Sequence, residues 1–523
     1  MIPFATLNEI EPRDLGMPAR FPSWRPGQLP ALYRTAASPH RFIAQCAPTG
    51  FGKSPYAVAC ALLFGVRCCI LTSTKILQQQ YLNDFAECGI TDIRGRHNYP
   101  CPIAKGATCS DGRILGCKNI ECPRTLALIR AKESQLVITN YACYMHSYAH
   151  GEGLGEFGML VLDEAHGIAD ELCSFLEITI DHAQNEYIYG MLSHPPPHAQ
   201  PLKSWIDWAA ASMPEARSHL DSLKEQSASL LVIREADRFL DTISKLAVIG
   251  EDWILDEQPG VSCTFAPLWP TEHAEQLLYR NIPKILLLSA TIVRKSLDII
   301  GVTSSDREFL EQSHTFDPNR APVYLFGPSR IDYRSTEGQL AEWIGRMDML
   351  ISRRLDRKAL IHTISYARQK EIVSRSQYAH FILAPASHTL NTAIEVFRQS
   401  PPPKLLSSPA LTTGYDFPFR DAEYQFIMKM PFIDGRGAIL KARAASDPDY
   451  LPYLTAQILV QMCGRIMRAP KDRGETIILD AHANWFTRKH RNLLPSWFSR
   501  QLRYPDGPPI PPPALTDADV TVT

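Results

Sequence analysis

Two tandem α/β lobes, each built on a parallel sheet, are the architecture this sequence predicts, and three observations predict it. The chain has 523 residues, and single hydrophobic cores stop growing near ~250–300 residues. Short apolar runs alternate with amphipathic stretches, the signature of strands buried on both faces with helices between them. That pattern occurs once over residues 41–291 and again over 358–481.

In the first lobe, RFIAQCA (41–47) reads as a strand, followed by a glycine-rich turn and a helix from Ser54. RCCILTS (67–73), SQLVITN (134–140), GMLVLDEAH (158–166) and KILLLSAT (284–291) read as further buried strands. The second lobe repeats the theme with KALIHT (358–363), KLLSSPA (404–410), YQFIMKM (424–430) and ETIILDA (475–481). The first lobe is thus expected in three pieces, 1–90, 133–170 and 266–300, and the second over 301–503.

Two insertions of opposite charge separate those pieces. Residues 91–132 hold four cysteines and 8 Lys/Arg against 3 Asp/Glu, a balance of +5. Residues 171–265 carry 6 Lys/Arg against 15 Asp/Glu, a balance of −9, and read as mostly helical. Leu220, Leu223, Leu230, Leu231, Leu240, Ile243 and Leu246 recur there at roughly helical spacing. The proline-rich tail, 504–523, is expected to be disordered.

Composition narrows the function. Hydrophobic residues at 45% and charged residues at 21% exclude a disordered or fibrous chain. The net charge is −1, so nucleic-acid binding has to come from local basic surfaces. The longest apolar stretch, Tyr56 to Ile70, is broken by Arg67, and no membrane span is expected. The N-terminus lacks an apolar signal core. A cytoplasmic, reducing location is therefore expected, with the thirteen cysteines as thiols or metal ligands.

The motifs carry the chemistry. APTGFGKS (47–54) lies between an expected strand and helix, with Ala47 where the strict pattern has glycine. Thr49, Gly50 and Gly52 would let the backbone wrap phosphate oxygens, Lys53 would reach the β and γ phosphates, and Ser54 would ligate Mg²⁺. Asp163, Glu164, Ala165 and His166 end a buried strand. Ligands of α/β sheets bind at such ends. Asp163 can hold Mg²⁺ there, and Glu164 can polarise the attacking water. QMCGRIMR (461–468) places Arg465 and Arg468 three apart, on one face if the segment is helical. Two arginines suit the spread charge of a phosphoryl-transfer transition state. SAT (289–291) and TTGYDF (412–417) are weaker strings, offering hydroxyls, Gly414 and Asp416.

Their order is informative. The phosphate loop, TSTK (72–75), DEAH, SAT, HTISYA (362–367), TTGYD and QxxGRxxR appear in the sequence of a superfamily two helicase, which this chain resembles over roughly residues 20–490. The resemblance implies two RecA-like lobes with ATP and Mg²⁺ between them. Lys53 and Glu164 would stand on one lobe, with Arg465 and Arg468 reaching across from the other. It adds His166, Gly414, Asp416 and Gln461 to the nucleotide site. RPGQ (25–28) looks like the family's adenine-reading element, with Gln28 as the contact. Thr72, Ser73, Thr412 and Thr413 become phosphate contacts on a nucleic-acid strand.

Cys101, Cys109, Cys117 and Cys122 are spaced C-x₇-C-x₇-C-x₄-C. Four thiols in a short loop-rich insert point to a metal. Without two tight C-x₂₋₄-C knuckles, a cubane iron–sulfur cluster fits better than zinc, which stays open. The flanks GRHNYPC (95–101) and ECPRTLALIRAKESQLVITNYACY (121–144) resemble the cluster-domain borders of the XPD/DinG branch. That resemblance implies a 4Fe–4S cluster on these four cysteines, with 171–265 as the Arch domain. Arg94, Arg96 and Tyr99, beside the cluster, would hold a strand as a duplex opens.

The expected function is an ATP-dependent DNA helicase, monomeric, moving 5′ to 3′ on single-stranded and forked DNA. A translocase that does not separate strands, and a nucleic-acid-binding module with structural zinc, are the alternatives.

Overall fold

A computed structural model of the chain describes residues 10–103, 106–117, 121–149, 153–313, 317–412, 415–467 and 472–512, with the Thr412 side chain excepted. Arg468, Thr413 and Gly414 lie outside the described residues.

The first sheet begins with β1 (Phe42–Cys46), β2 (Cys68–Thr72), β3 (Ile90–Asp92), β4 (Leu136–Asn140) and β5 (Met159–Asp163). The chain then leaves for a small sheet of β6 (Ile178–Asp181), β7 (Ile254–Gln258) and β8 (Ser262–Ala266). It returns with β9 (Lys284–Ser289) and β10 (Arg307–Glu311). The first sheet runs β10-β1-β9-β5-β2-β4-β3, and all its pairings are parallel. Every residue of β1, β2 and β5 is buried, because helices cover both faces.

The second sheet uses β11 (Val323–Leu325), β12 (Lys358–His362), β13 (Ile382–Leu383), β14 (Lys404–Ser407), β15 (Tyr424–Ile427), β16 (Glu475–Ile478) and β17 (Leu502–Arg503). Its order is β13-β14-β12-β15-β16-β11-β17, again all parallel. The two lobes meet along the helix Tyr450–Cys463. There Gln457 Nε2 donates to Thr291 O at 2.9 Å, and Tyr453 OH lies 3.0 Å from Ser296 Oγ. Trp497 Nε1 donates to Ala290 O at 2.8 Å, and one apolar cluster spans both lobes.

The acidic insert is a helical hairpin, Leu202–Glu225 and Leu230–Leu246, packed on the antiparallel sheet β6-β8-β7. That sheet departs from the mostly helical expectation. Leu220, Leu223, Leu240, Ile243 and Leu246 are buried as the spacing requires, whereas Leu231, in the first helical turn, is exposed.

The tail also departs from expectation through residue 512. Pro509 is buried, and Arg354 and Arg357 donate to the carbonyls of Pro509 and Pro512 at 3.2 and 3.0 Å. Proline's carbonyl is a full acceptor, so the low-complexity composition did not preclude docking. Residues 513–523 lie outside the described residues.

Candidate active site

Because the first sheet is parallel, the carboxyl ends of β1, β9 and β5 stand side by side, with Cys46 opposite Ser289 and Asp163 opposite Leu288. Ligands of α/β sheets bind at such an edge. The loop after β1 turns through Gly50 (φ 89°) and Gly52 (φ 79°) into the helix Lys53–Phe64. Gly52 has no substitute: a Cβ would fall 2.7 Å from Gln28 Nε2. Gln28 is buried and grips the loop rather than open space. Its Nε2 donates to Phe51 O (2.9 Å) and Gly52 O (3.0 Å), while its Oε1 accepts from Arg25 N (2.8 Å). Arg25 Nη1 adds a bond to Gly50 O at 3.0 Å. Both ends of the Gln28 amide are thus engaged with the loop and its neighbour.

Lys53 Nζ lies 3.9 Å from Glu164 Oε1. Asp163 is buried and accepts from Tyr81 OH at 2.9 Å. Burial, reinforced by the neighbouring charge of Glu164, pushes the Asp163 carboxyl up to about 6, against the pull of Lys53 and the Tyr81 bond. Glu164 adopts a left-handed backbone, φ 53° and ψ 44°. Such strain in a residue other than glycine persists where the surroundings impose it. His166 Nδ1 bridges Ser289 Oγ (2.8 Å) and Glu164 Oε2 (3.3 Å). Ser289 Oγ in turn accepts from Thr291 N at 3.1 Å. An ammonium, two carboxylates, a loop of N–H donors and the Ser54 hydroxyl therefore occupy one edge. That set can hold a triphosphate with a divalent cation and orient a water.

On the second lobe, Gly464 caps the helix Tyr450–Cys463, so Arg465 follows the helix instead of riding on it. The shared helical face expected for Arg465 and Arg468 is corrected in this respect. The helix ends at Cys463, and Phe417 N bonds to the Arg465 carbonyl at 3.1 Å. Arg465 Nη1 holds the Tyr415 carbonyl at 3.0 Å and lies 3.6 Å from Asp416 Oδ1. Gln461 is half-buried on the last turn of the preceding helix. Gln425, on β15, ties this helix end to the sheet. Its Nε2 donates to Met462 O and Cys463 O at 3.0 and 3.1 Å, and its Oε1 meets His362 Nε2 at 3.0 Å. Sequence reasoning missed Tyr81, Gln425 and Gln457, since no local spacing marks a side chain whose partner lies in another element.

The candidate strand contacts are mixed. Ser73 is exposed, but Thr72 is fully buried, with its hydroxyl on Thr74 O at 3.2 Å. Arg94 is engaged by Asp92 (2.7 Å) and Gln79 (2.8 Å), and its backbone N–H donates to Tyr99 OH (3.1 Å). Arg96 Nη1 points at Cys109 Sγ, 3.5 Å away. A cavity of about 880 Å³ opens nearby, lined by Arg96, Arg113 and Arg124 of the cysteine insert and Arg217, Arg234 and Arg238 of the helical insert.

Of the four insert cysteines, Cys101, Cys109 and Cys122 are buried and Cys117 half-buried. Cys109 and Cys122 Sγ lie 3.7 Å apart. Cys101 and Cys117 flank Gly112, where a Cβ would meet Cys101 Sγ at 3.0 Å and Cys117 Sγ at 3.8 Å. Burial acts to raise the Cys122 thiol, but the N–H groups of Thr125 and Arg124 outweigh it and hold the thiol below its ordinary value. Among the described residues, no three His, Cys, Asp or Glu side chains stand at the spacing of a single bound ion. No helix there is long and apolar enough to cross a membrane.

Two family models match. Residues 25–193 match the DEAD/DEAH box helicase domain, and residues 349–501 the helicase C-terminal domain. No curated protein matches the chain. Among solved structures, an XPD helicase is similar at TM-score 0.61 and 14% identity, covering 86% of this chain and 95% of that one. The S. tokodaii protein Xpd4 is similar at TM-score 0.58 and 12% identity, covering 92% and 100%. With both helicase domain models matched on its two parallel-sheet lobes, the chain belongs to the superfamily two DEAD/DEAH-box helicases, as an ATP-hydrolysing helicase with an XPD-like fold.

Proposed function

We propose that the chain is a DNA helicase that moves 5′ to 3′ on single-stranded DNA and opens forked duplexes. The observation that carries this reading is the chain of contacts from Lys53 through Glu164, His166 and Ser289 to Thr291, which lobe 2 meets through Gln457. In this reading Lys53 neutralises the terminal phosphate, Ser54 and Asp163 hold Mg²⁺, and Glu164 orients the attacking water. Arg465, with Arg468, meets the same phosphate from lobe 2, so binding ATP draws the lobes together and hydrolysis releases them.

The four insert cysteines support a 4Fe–4S cluster: three of the thiols are buried and that of Cys117 half-buried, Gly112 leaves room that a Cβ would fill, and Arg96 faces Cys109. Cys101, Cys109, Cys117 and Cys122 would hold the group, which would cross-link the segments of the insert. Zinc is the second reading, because a tetrahedral zinc–thiolate site puts sulfurs about 3.7 Å apart, the spacing of Cys109 and Cys122.

Fork unwinding with 5′-tailed and 3′-tailed substrates, beside iron and zinc analysis of anaerobically purified protein, tests the proposal. Strand release from the 5′-tailed fork, abolished in Lys53→Ala, is the expected result. ATP turnover without strand release would replace it with a translocase. Zinc without iron would replace the cluster.

A further inference from the structure

Away from the nucleotide cleft, the small sheet of the helical insert gathers a second set of metal-binding side chains. Cys263 on β8 is fully buried, and Glu257 on β7 stands directly opposite it in the register. His182 follows the end of β6, and its Nε2 lies 3.6 Å from Cys263 Sγ. The His198 ring stands edge-on to His182, with centroids 4.5 Å apart, and its Nδ1 is 3.8 Å from Glu257 Oε1.

We propose that His182, His198, Glu257 and Cys263 form a Zn²⁺ site that fastens the loop before the helical hairpin to the sheet beneath it. With Zn–N about 2.0 Å and Zn–S about 2.3 Å, tetrahedral geometry sets nitrogen and sulfur about 3.5 Å apart, and the His182–Cys263 pair shows 3.6 Å. One thiol, two imidazoles and a carboxylate suit zinc's borderline softness. The groups behind the donors are also oriented. His182 Nδ1 is engaged by Tyr189 OH at 3.3 Å, which directs Nε2 toward the thiol. Both carboxylate oxygens of Glu257 accept from Ala199 N at 3.1 Å, and Ala199 holds a left-handed backbone (φ 55°) beside His198. A simple Cys–His hydrogen bond explains the first pair alone. It does not explain a second histidine on a strained turn facing an oriented carboxylate. As they stand the four donors stop short of a common point: among the described residues no three such side chains are at ion-binding spacing. Closure requires the His198 side chain, half exposed, to swing inward.

The test uses the full chain, purified anaerobically, exchanged against chelator and titrated with Zn²⁺ or Co²⁺ alone. Serine at all four of Cys101, Cys109, Cys117 and Cys122 is the background, removing the thiolates of the cysteine insert. The expected result is one equivalent of metal with a thiolate-to-cobalt band, bound at least tenfold more weakly after His198→Ala or Glu257→Gln. Those two positions are partly exposed and their variants should fold, which circular dichroism checks. No thiolate band in that four-serine background, or unchanged affinity in both variants, would overturn the site.

Discussion

Lowering the pH across Asp163 is predicted to loosen Mg²⁺–nucleotide binding. The Asp163 carboxyl titrates at about 6, because burial, and then Glu164, penalises its charged form. Hard divalent cations take the carboxylate, so below that value each binding event must displace a proton. Affinity should then fall about tenfold per pH unit, ~1.4 kcal/mol. Stability runs in the opposite sense. An unfolded aspartate titrates near ~3.9, so the folded state holds this proton more tightly. The stabilising contribution is complete below the unfolded value and is lost as pH rises through about 6. The two-unit gap corresponds to roughly 3 kcal/mol.

Tyr81→Phe sharpens the test. It deletes the 2.9 Å bond to the carboxylate, and hydrogen bonds to charged groups contribute roughly 1.5–3 kcal/mol. The midpoint should rise by about one pH unit. The assay is Mg²⁺-dependent binding of a fluorescent ATP analogue, taken two units either side of the Asp163 value. The nucleotide's own phosphates titrate identically with both proteins, so the difference isolates Asp163. A midpoint unmoved by Tyr81→Phe, or affinity flat with pH, would refute the reasoning.

Two further outcomes are expected. Arg354 and Glu475 are both fully buried and paired, with Arg354 Nη2 at 2.9 Å from Oε2. Arg354→Met should destabilise lobe 2 by about 3–5 kcal/mol, and adding Glu475→Leu should recover most of that, as read from urea midpoints. Arg234 Nε bonds Asp111 Oδ1 at 2.5 Å, joining the helical insert to the cysteine insert. Arg234 foremost, with Thr108, holds the Asp111 carboxyl down at about 2. The Arg234 side chain is 39% exposed, so solvent screens the pair and Arg234→Ala should loosen the contact between the inserts without unfolding the chain. Hydrogen exchange over 106–114 should quicken above the ordinary aspartate range, and the difference should vanish as pH falls toward 2.

The long buried strands were legible because their residues are apolar on both faces. FIAQC, CCILT, LVITN, MLVLD and KILLLS all sit in the first sheet. Short strands such as ITD, VYL and the closing Leu502–Arg503 were not, since two or three residues cannot show a period. The edge strand REFLE escaped because its burial is partial. Inside the acidic insert, ILDEQ and SCTFA are strands that the surrounding helical spacing concealed. At the candidate site, Lys53, Asp163 and Glu164 were readable because each belongs to one contiguous string. Tyr81 and Gln457 were not, because their partners lie 82 and 166 residues away. Arg465 was placed on a helix that ends two residues earlier, at Cys463.

The bridging imidazole of His166 has a mechanical corollary. It touches the acidic strand end on one side and Ser289 on the other, and Ser289 leads to Thr291, whose carbonyl is held by Gln457 of the opposite lobe. That linkage runs through side-chain contacts and a short strand end, so a movement of the acidic turn has a direct path to lobe 2. Moving the Glu164 carboxylate would then pull on Gln457 through four contacts, without any helix having to melt.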